Sequence, residues 1–288
     1  MPPEYLSESR PAITIESLRQ LVRNGGDPFA CLTCYDATTA RWLEAAGVPV
    51  LLVGDSAAQV ILGLDRTSEI SLDFLVTLTA AVKRGAPRTL VMADMPFMSF
   101  HADDAEGIKN AGRFLTEGKA DIVKMEVDAG FAPLVSKIVR AGIPVCAHIG
   151  LLPQRVALTG RYRAEGRTSS SIERLVADAR ALEDAGAAML LIEAVPDEAA
   201  QAVIEQSGVP VIGIGAGTSC HGQILVLQDL VGMSQNPPRF AEPVAEMGED
   251  LRRAAWTWVD RVARREIGGK RYRMVSSDTP TPSRPAGS

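Results

Sequence analysis

Residues 49–56, Pro49-Val50-Leu51-Leu52-Val53-Gly54-Asp55-Ser56, form a short apolar run that ends in an acid and a hydroxyl. A strand covered on both faces reads as a continuous apolar run, and such strands occur in parallel sheets flanked by helices. The pattern recurs along the chain. Thr89-Leu90-Val91-Met92-Ala93 leads to Asp94, Asp121-Ile122-Val123 to Lys124-Met125-Glu126, Pro144-Val145-Cys146-Ala147 to His148, and Ala188-Met189-Leu190-Leu191-Ile192 to Glu193. Polar groups at the carboxyl ends of parallel strands converge on one rim, where α/β barrels place their active sites. The pattern predicts an α/β fold, a (β/α)8 TIM barrel, with a carboxylate-rich site.

Working outward, apolar runs begin near Phe29, Pro49, Thr89, Asp121, Pro144, Ala187, Pro210 and Ile224, giving eight expected strands. Helical stretches are expected over Thr38 to Ala46, Ala102 to Glu117, Phe131 to Ala141 and Ser171 to Ala185, stopped by Gly47, Gly118, Gly142 and Gly186. A glycine just past the last turn is the usual helix terminator, and the repeated order of helix, glycine and apolar strand is a βα unit in one dimension. The last two strands start too close together for a full helix between them. Beyond the eighth strand, Phe240 to Ile267 reads as a C-terminal helical extension. Its apolar stripe of Val244, Met247, Leu251, Ala255, Trp258 and Val262 is expected to pack on the barrel or on another subunit. Residues 1–268 are thus read as one barrel domain with N- and C-terminal helices, and 269–288, poor in apolar residues and carrying three prolines, as a disordered tail.

The length of 288 residues, 46% hydrophobic, suffices for one such barrel. A net charge of −5, from 35 acidic and 30 basic residues, provides no basic field for nucleic acid. No run reaches the ~20 apolar residues that span a bilayer, and Met1-Pro2-Pro3-Glu4-Tyr5 carries no leader pattern, so a soluble cytoplasmic protein is expected. Cys31 and Cys34 form a C-x-x-C without a second pair. On one strand their side chains face opposite ways, so they, like Cys146 and Cys220, are expected to be small buried residues.

Two connections are long enough to shape a site, Gln59 to Leu72 and Leu151 to Ser170. The second carries Arg155, Arg161, Arg163 and Arg167, which could grip an anionic substrate or stand in solvent. Asp55, Asp94, Glu126 and Glu193 on one rim would repel one another without a proton or a cation. A hard cation such as Mg2+ suits an all-oxygen set better than zinc does. Lys124 and Glu126 are two apart on one strand and share a face, so Lys124 would stay charged and hold a substrate oxyanion. His148 is expected to hydrogen-bond or shuttle protons, or to be a structural histidine. Gly213-Ile214-Gly215-Ala216-Gly217 has the wrong spacing for a dinucleotide fingerprint and is expected to let a ligand approach the backbone.

Several segments carry a family resemblance over residues 29 to 240: Leu32-Thr33-Cys34-Tyr35-Asp36, Val53-Gly54-Asp55-Ser56, Ala81-Val82-Lys83-Arg84-Gly85-Ala86 and Ala93-Asp94-Met95-Pro96-Phe97-Met98. They continue with Val123-Lys124-Met125-Glu126, His148-Ile149-Gly150-Leu151-Leu152-Pro153-Gln154, Glu193-Ala194-Val195-Pro196, Val211 to Gly217 and Gly222-Gln223. In these the chain resembles ketopantoate hydroxymethyltransferase, of the phosphoenolpyruvate-mutase and isocitrate-lyase type of barrel. The resemblance implies Asp55, Asp94 and Glu126 at a Mg2+ site, Asp55, Ser56, Asp94 and Lys124 on a small-molecule 2-oxo acid, and Glu193 as general acid/base. It also implies 5,10-methylenetetrahydrofolate, a folate, as one-carbon donor to 3-methyl-2-oxobutanoate, and a homo-oligomeric assembly.

The chain departs from the family pattern at Val127-Asp128, where a glycine pair is usual. It departs again over Leu64-Asp65-Arg66-Thr67-Ser68-Glu69, at Gly160-Arg161-Tyr162-Arg163, and at His221 where an acid is common. These changes touch the loops around the pockets and leave the metal and enolate residues intact. The alternatives are a paralogue acting on another 2-oxo acid or as an aldolase, and a catalytically silent barrel, which would not need to keep Asp55, Asp94, Lys124, Glu126 and Glu193 together.

Overall fold

The computed structural model describes residues 11–160, 162–270 and 272–273. Eight strands, β1 (Phe29–Thr33), β2 (Val50–Val53), β3 (Leu90–Asp94), β4 (Ile122–Glu126), β5 (Val145–Gly150), β6 (Met189–Glu193), β7 (Val211–Ile214) and β8 (Gly222–Leu225), follow the eight expected runs. They pair in parallel in chain order, and β8 closes on β1 to complete the barrel.

Alternation along each strand separates two layers of core. Cys31, Val50, Leu52, Leu90, Met92, Ile122, Cys146, Met189, Leu191, Ile212 and Ile224 point inward and pack together. The intervening Leu51, Val53, Val91, Ala93, Val123, Met125, Leu190 and Ile192 point outward against the helices. A side-chain period of two on a pleated strand requires this split. Cys31 falls in the inner cluster and Cys34 in the outer one, and all four cysteines are free and buried, as their spacing suggested.

Helices α1 (Ile15–Arg23), α2 (Ala37–Ala45), α3 (Leu72–Gly85), α4 (Asp104–Thr116), α5 (Ala132–Arg140), α6 (Ser169–Asp184), α7 (Asp197–Ile204) and α8 (Met247–Ala263) accompany the strands. Helix α1 sets Leu18, with Ile15 and Leu21, against the inner core and so closes the barrel's amino end. Side-chain oxygens satisfy first-turn amides that have no partner within the helix. Asp36 accepts from Thr38 and Thr39 ahead of α2, Asp103 from Ala105 and Glu106 ahead of α4, and Thr168 forms a capping box with Ser171 on α6. Gly85 lets α3 lie against α2, since a Cβ there would come within 2.3 Å of the Ala37 carbonyl oxygen.

Three expectations are corrected. The C-terminal helix begins at Met247 rather than Phe240, after Pro243, and buries none of its residues on the barrel. Leu251 and Trp258 remain 60% and 51% exposed, so packing on the barrel does not occur. The connection over Gln59 to Leu72 is not plain loop, because a helical turn covers Ala57–Val60, a 3-10 turn covers Thr67–Glu69, and Leu72 opens α3. The Gly213 to Gly217 run accommodates the protein's own side chains. A Cβ on Gly215 would meet the Phe240 ring at 2.6 Å, and one on Gly217 would meet the Asp197 carboxylate at 2.0 Å. The disordered tail expected over 269–288 lies outside the described residues at 271 and from 274 onward. Among the described residues no helix is long and apolar enough to cross a membrane.

Candidate active site

The period of two that fills the barrel with Leu90 and Met92, Ile122, Cys146, and Met189 and Leu191 continues upward into Asp94, Lys124 and Glu126, His148 and Glu193. Strand register places Asp94 beside Lys124 and Glu126 beside His148 on adjacent strands. Asp94, Lys124, Glu126 and His148 are buried, and Glu193 is half-buried at the mouth. The sequence-expected residues thus converge on the carboxyl end of the barrel.

A chain of polar contacts crosses four strands. The Lys124 ammonium lies 2.8 Å from Asp94 Oδ1 and 3.2 Å from His148 Nδ1, and His148 Nε2 lies 3.3 Å from Glu193 Oε2. An ammonium can only donate, so His148 Nδ1 accepts and the ring's proton sits on Nε2, facing Glu193. Burial, reinforced by the Lys124 charge, holds the His148 pKa well below its ordinary value, which keeps this tautomer neutral. Burial opposes the charge of Lys124 as well. There the carboxylates Asp94, Glu126 and Asp55 outweigh it, and the lysine pKa is held above its ordinary value. A Schiff-base lysine would need its pKa lowered instead.

The acids are pushed upward. Burial raises Asp94 to about 7 against the pull of Lys124. Glu126 is raised well above the carboxylate range by burial and by repulsion from Asp55. Glu193 is raised to about 7 by burial, with Lys124 opposing. The apolar strand beneath Glu193 does not enclose it fully, because His148 reaches it from β5.

Asp55 and Ser56 follow β2. The Asp55 backbone N–H donates to Asp94 Oδ2 at 3.1 Å, and Ser56 Oγ lies 2.8 Å from the buried Tyr35 hydroxyl. Gln154 had no role in the sequence reading, yet it is 3% exposed and ties two acids together. Its Nε2 donates to Asp55 Oδ2 at 3.0 Å and to the Met95 carbonyl at 3.2 Å, while its backbone N–H donates to Glu126 Oε2 at 2.9 Å. The only sequence signal was its place at the end of the His148 to Gln154 segment. Of the arginines read as gripping a substrate or standing in solvent, the described ones do not line the cavity. Arg155 pairs with Asp128 at 2.6 Å, Arg163 and Arg167 are exposed, and Arg161 lies outside the described residues. Tyr162 from the same connection faces the cavity instead.

The cavity has a volume of about 880 Å³. Its floor is the polar cluster, and its outer wall includes Tyr162, Met233 and Phe240. The donor set fits a hard divalent cation. Asp55, Asp94 and Glu126 share one buried cavity, their atoms are oxygens, and Glu126 Oε1 is buried without a hydrogen-bond partner. Among the described residues no three acidic, histidine or cysteine side chains close into a cage. Mg2+ does not require one, because it keeps several waters and takes only one or two carboxylates.

Known proteins resemble the chain in sequence and in fold. A family model described as ketopantoate hydroxymethyltransferase matches residues 12–269. The chain belongs to the ketopantoate hydroxymethyltransferase family. Curated relatives named 3-methyl-2-oxobutanoate hydroxymethyltransferase include one from Halorhodospira halophila, 46% identical over 248 residues, covering 86% of this chain and 90% of its own. Another, from Shouchella clausii, is 40% identical over 267 residues and covers 92% of this chain and 95% of its own. The protein is accordingly a transferase of the hydroxymethyltransferase type. Among solved structures, 2,3-dimethylmalate lyase, a member of the PEP mutase/isocitrate lyase superfamily, aligns with a TM-score of 0.58 at 19% identity over 94% of this chain and 93% of its own. Phosphonopyruvate hydrolase in complex with oxalate and Mg2+ aligns with a TM-score of 0.59 at 15% identity over 88% of this chain and 87% of its own. These structural neighbours share the barrel.

Proposed function

We propose that this member of the ketopantoate hydroxymethyltransferase family carries a hydroxymethyl group from 5,10-methylenetetrahydrofolate to 3-methyl-2-oxobutanoate, giving 2-dehydropantoate. The observation that carries this reading is the run Asp94–Lys124–His148–Glu193, which places a fixed cation and a carboxyl group of raised pKa in one buried cavity. A Mg2+ ion held by Asp55, Asp94 and Glu126, directly or through water, would supply Lewis-acid stabilisation of negative charge developing on the keto oxygen.

The chain's own groups supply the rest. Lys124 and the Ser56 hydroxyl bind and orient the oxo acid beside Asp55 and Asp94. The buried Lys124 ammonium is a preorganised positive charge for an oxyanion, in a setting where such a charge acts strongly. Glu193, as carboxylate, accepts the proton from C3, with the neutral His148 ring 3.3 Å from the receiving oxygen. The C3 carbanion bonds to the one-carbon unit and water adds its oxygen to that carbon as both C–N bonds to the folate break, and the proton held by Glu193 together with one from the water goes to the two folate nitrogens, releasing tetrahydrofolate. We also propose that the protein works as a homo-oligomer, on the strength of the exposed apolar stripe of α8.

Deuterium exchange at C3 of 3-methyl-2-oxobutanoate, with Mg2+ and no folate, tests proton abstraction separately from transfer. Exchange followed by folate-dependent transfer is the expected result. Exchange without transfer to any added folate would replace this reading with a related enolate reaction, and no exchange on any 2-oxo acid would leave a silent barrel.

A further inference from the structure

The outer half of the cavity holds polar groups that the oxo-acid chemistry does not use. After β8 the chain makes a helical turn over Leu227–Leu230, held to the barrel by a hydrogen bond from the Leu227 N–H to Thr33 Oγ1 at 2.9 Å. Gln228 and Asp229 on this turn both line the cavity. Asp229 is only 8% exposed, and its carboxylate makes no hydrogen bond or ion pair with any described residue. Gln228 Oε1, on the neighbouring residue, is buried and also without a partner.

Gln228 Oε1 is sealed from solvent and forfeits its hydration, while the Asp229 oxygens beside it stay open to the cavity without a protein partner. Their persistence calls for a ligand bearing donors. In barrel order β8 lies opposite β4, so the turn stands across the cavity from Lys124 and Glu126, with Glu193 of β6 on the rim between them. The cavity wall beside the turn is mixed: Ser234, Gln235 and Asn236 line it together with Met233 and Phe240, the latter with its ring seated on Gly215. The site therefore combines a planar aromatic surface with a carboxylate edge.

We propose that Asp229 and Gln228 form the subsite for the aminopyrimidinone edge of a reduced pterin. That edge presents a ring N–H and an exocyclic amino group in one plane, a donor pair that a carboxylate accepts in a two-bond fork, as it does a guanidinium. The remaining amino hydrogen reaches Gln228 Oε1, and the ring face lies along Phe240. A metal cation is disfavoured as occupant, because the cavity residues flanking Asp229 on this side, Gln228, Met233, Ser234, Gln235 and Asn236, offer no further acid, histidine or cysteine. The assignment rests on the proposed folate donor and specifies how that donor is held.

The test uses the full-length protein with Mg2+ and three probes: tetrahydropterin, which lacks the benzoylglutamate tail; p-aminobenzoylglutamate, which lacks the pterin; and guanidinium, a donor fork without a ring. Calorimetry should show tetrahydropterin binding to the parent protein. The variant D229N keeps the shape and loses the charge. It should bind tetrahydropterin about 10-fold more weakly or worse, and raise the KM for methylenetetrahydrofolate by a similar factor. C3 deuterium exchange of the oxo acid, to which Asp229 makes no contact, reports that the site is still assembled in D229N, and Q228L should show a smaller loss in the same direction.

Equal tetrahydropterin affinity in parent and D229N would overturn the assignment, as would guanidinium or the tail fragment binding at Asp229 in place of the pterin. So would a parent protein that exchanges C3 but binds no tetrahydropterin. Tetrahydropterin bound in an Asp229-dependent way, without any hydroxymethyl transfer, would instead refute the proposed reaction and leave the subsite standing.

Discussion

Replacing Glu193 with glutamine tests proton transfer and the electrostatics beneath it in one variant. Burial moves the Glu193 carboxyl from 4.5 to about 7. The folded protein therefore retains a proton that the unfolded chain has already lost. The destabilisation is absent below about pH 4.5, grows as pH rises to about 7, and is constant above that. Each tenfold change in proton affinity corresponds to about 1.4 kcal/mol, so the rise from 4.5 to about 7 sets the penalty at about 3.5 kcal/mol at most. The side chain keeps 16% of its surface open to the cavity, where water reduces the penalty, and about 1–3 kcal/mol is the expected range. Glutamine has nearly the same shape, keeps its place beside His148, and carries no charge. Urea unfolding of the metal-free proteins should find the variant more stable than the parent at pH 8 and nearly equal at pH 5. Turnover should nevertheless fall by at least ~100-fold, the low end of a general base contribution, while Mg2+ and oxo-acid binding persist in calorimetry. Near-parental turnover would move proton transfer to another group, with His148 the first candidate. Equal stability at both pH values would show that the carboxyl is not desolvated.

In the parent, C3 exchange should decline as pH falls through about 7, because only the ionised Glu193 can accept the proton; a rate independent of pH between about 5.5 and 8 would argue against this base. Asp55→Asn and Asp94→Asn should each abolish Mg2+-dependent binding of the oxo acid with the fold intact by circular dichroism, and unchanged affinity in either would remove that acid from the metal site. Gly85→Ala drives a methyl group into the Ala37 carbonyl and should cost about 1–3 kcal/mol in urea unfolding, the usual range for overpacking. Sedimentation at micromolar concentration should show an oligomer, and charged substitutions at Leu251 and Trp258 should shift it toward monomer; a monomeric parent would contradict the role given to α8.

Where the sequence was legible, a single physical rule made it so. Strands β3, β4, β5 and β6 announce themselves because an apolar run covered on both faces ends in Asp94, Glu126, His148 or Glu193, and the period of two then fixes which residues face the cavity. β8 starts at Gly222 rather than Ile224, and the reason is steric, not hydrophobic: a Cβ at Gly222 would meet the Phe29 ring at 2.5 Å. Helix α3 escaped the periodic reading because Leu72-Asp73-Phe74-Leu75-Val76-Thr77-Leu78 is apolar nearly all round, and its terminal glycine is the last helical residue instead of the one beyond. Gln154 and Asp229 were illegible for a different reason. An amide after a proline and an acid after a strand are commonplace in one dimension, and only tertiary packing buries them. Of the two readings kept for the arginines of the Leu151 to Ser170 connection, Arg163 and Arg167 follow the solvent one, and charge alone does not say that Arg155 turns to Asp128.

The position of Gln154 at the base of that connection has an evolutionary consequence. Its backbone and side chain fasten the start of the segment to Glu126 and Asp55, whereas farther along Leu158 and Tyr162 are exposed. Substitutions at these two positions can reshape the entrance without disturbing the spacing of the acids, so new substrate preferences can be explored by neutral drift there while the chemistry below is inherited unchanged.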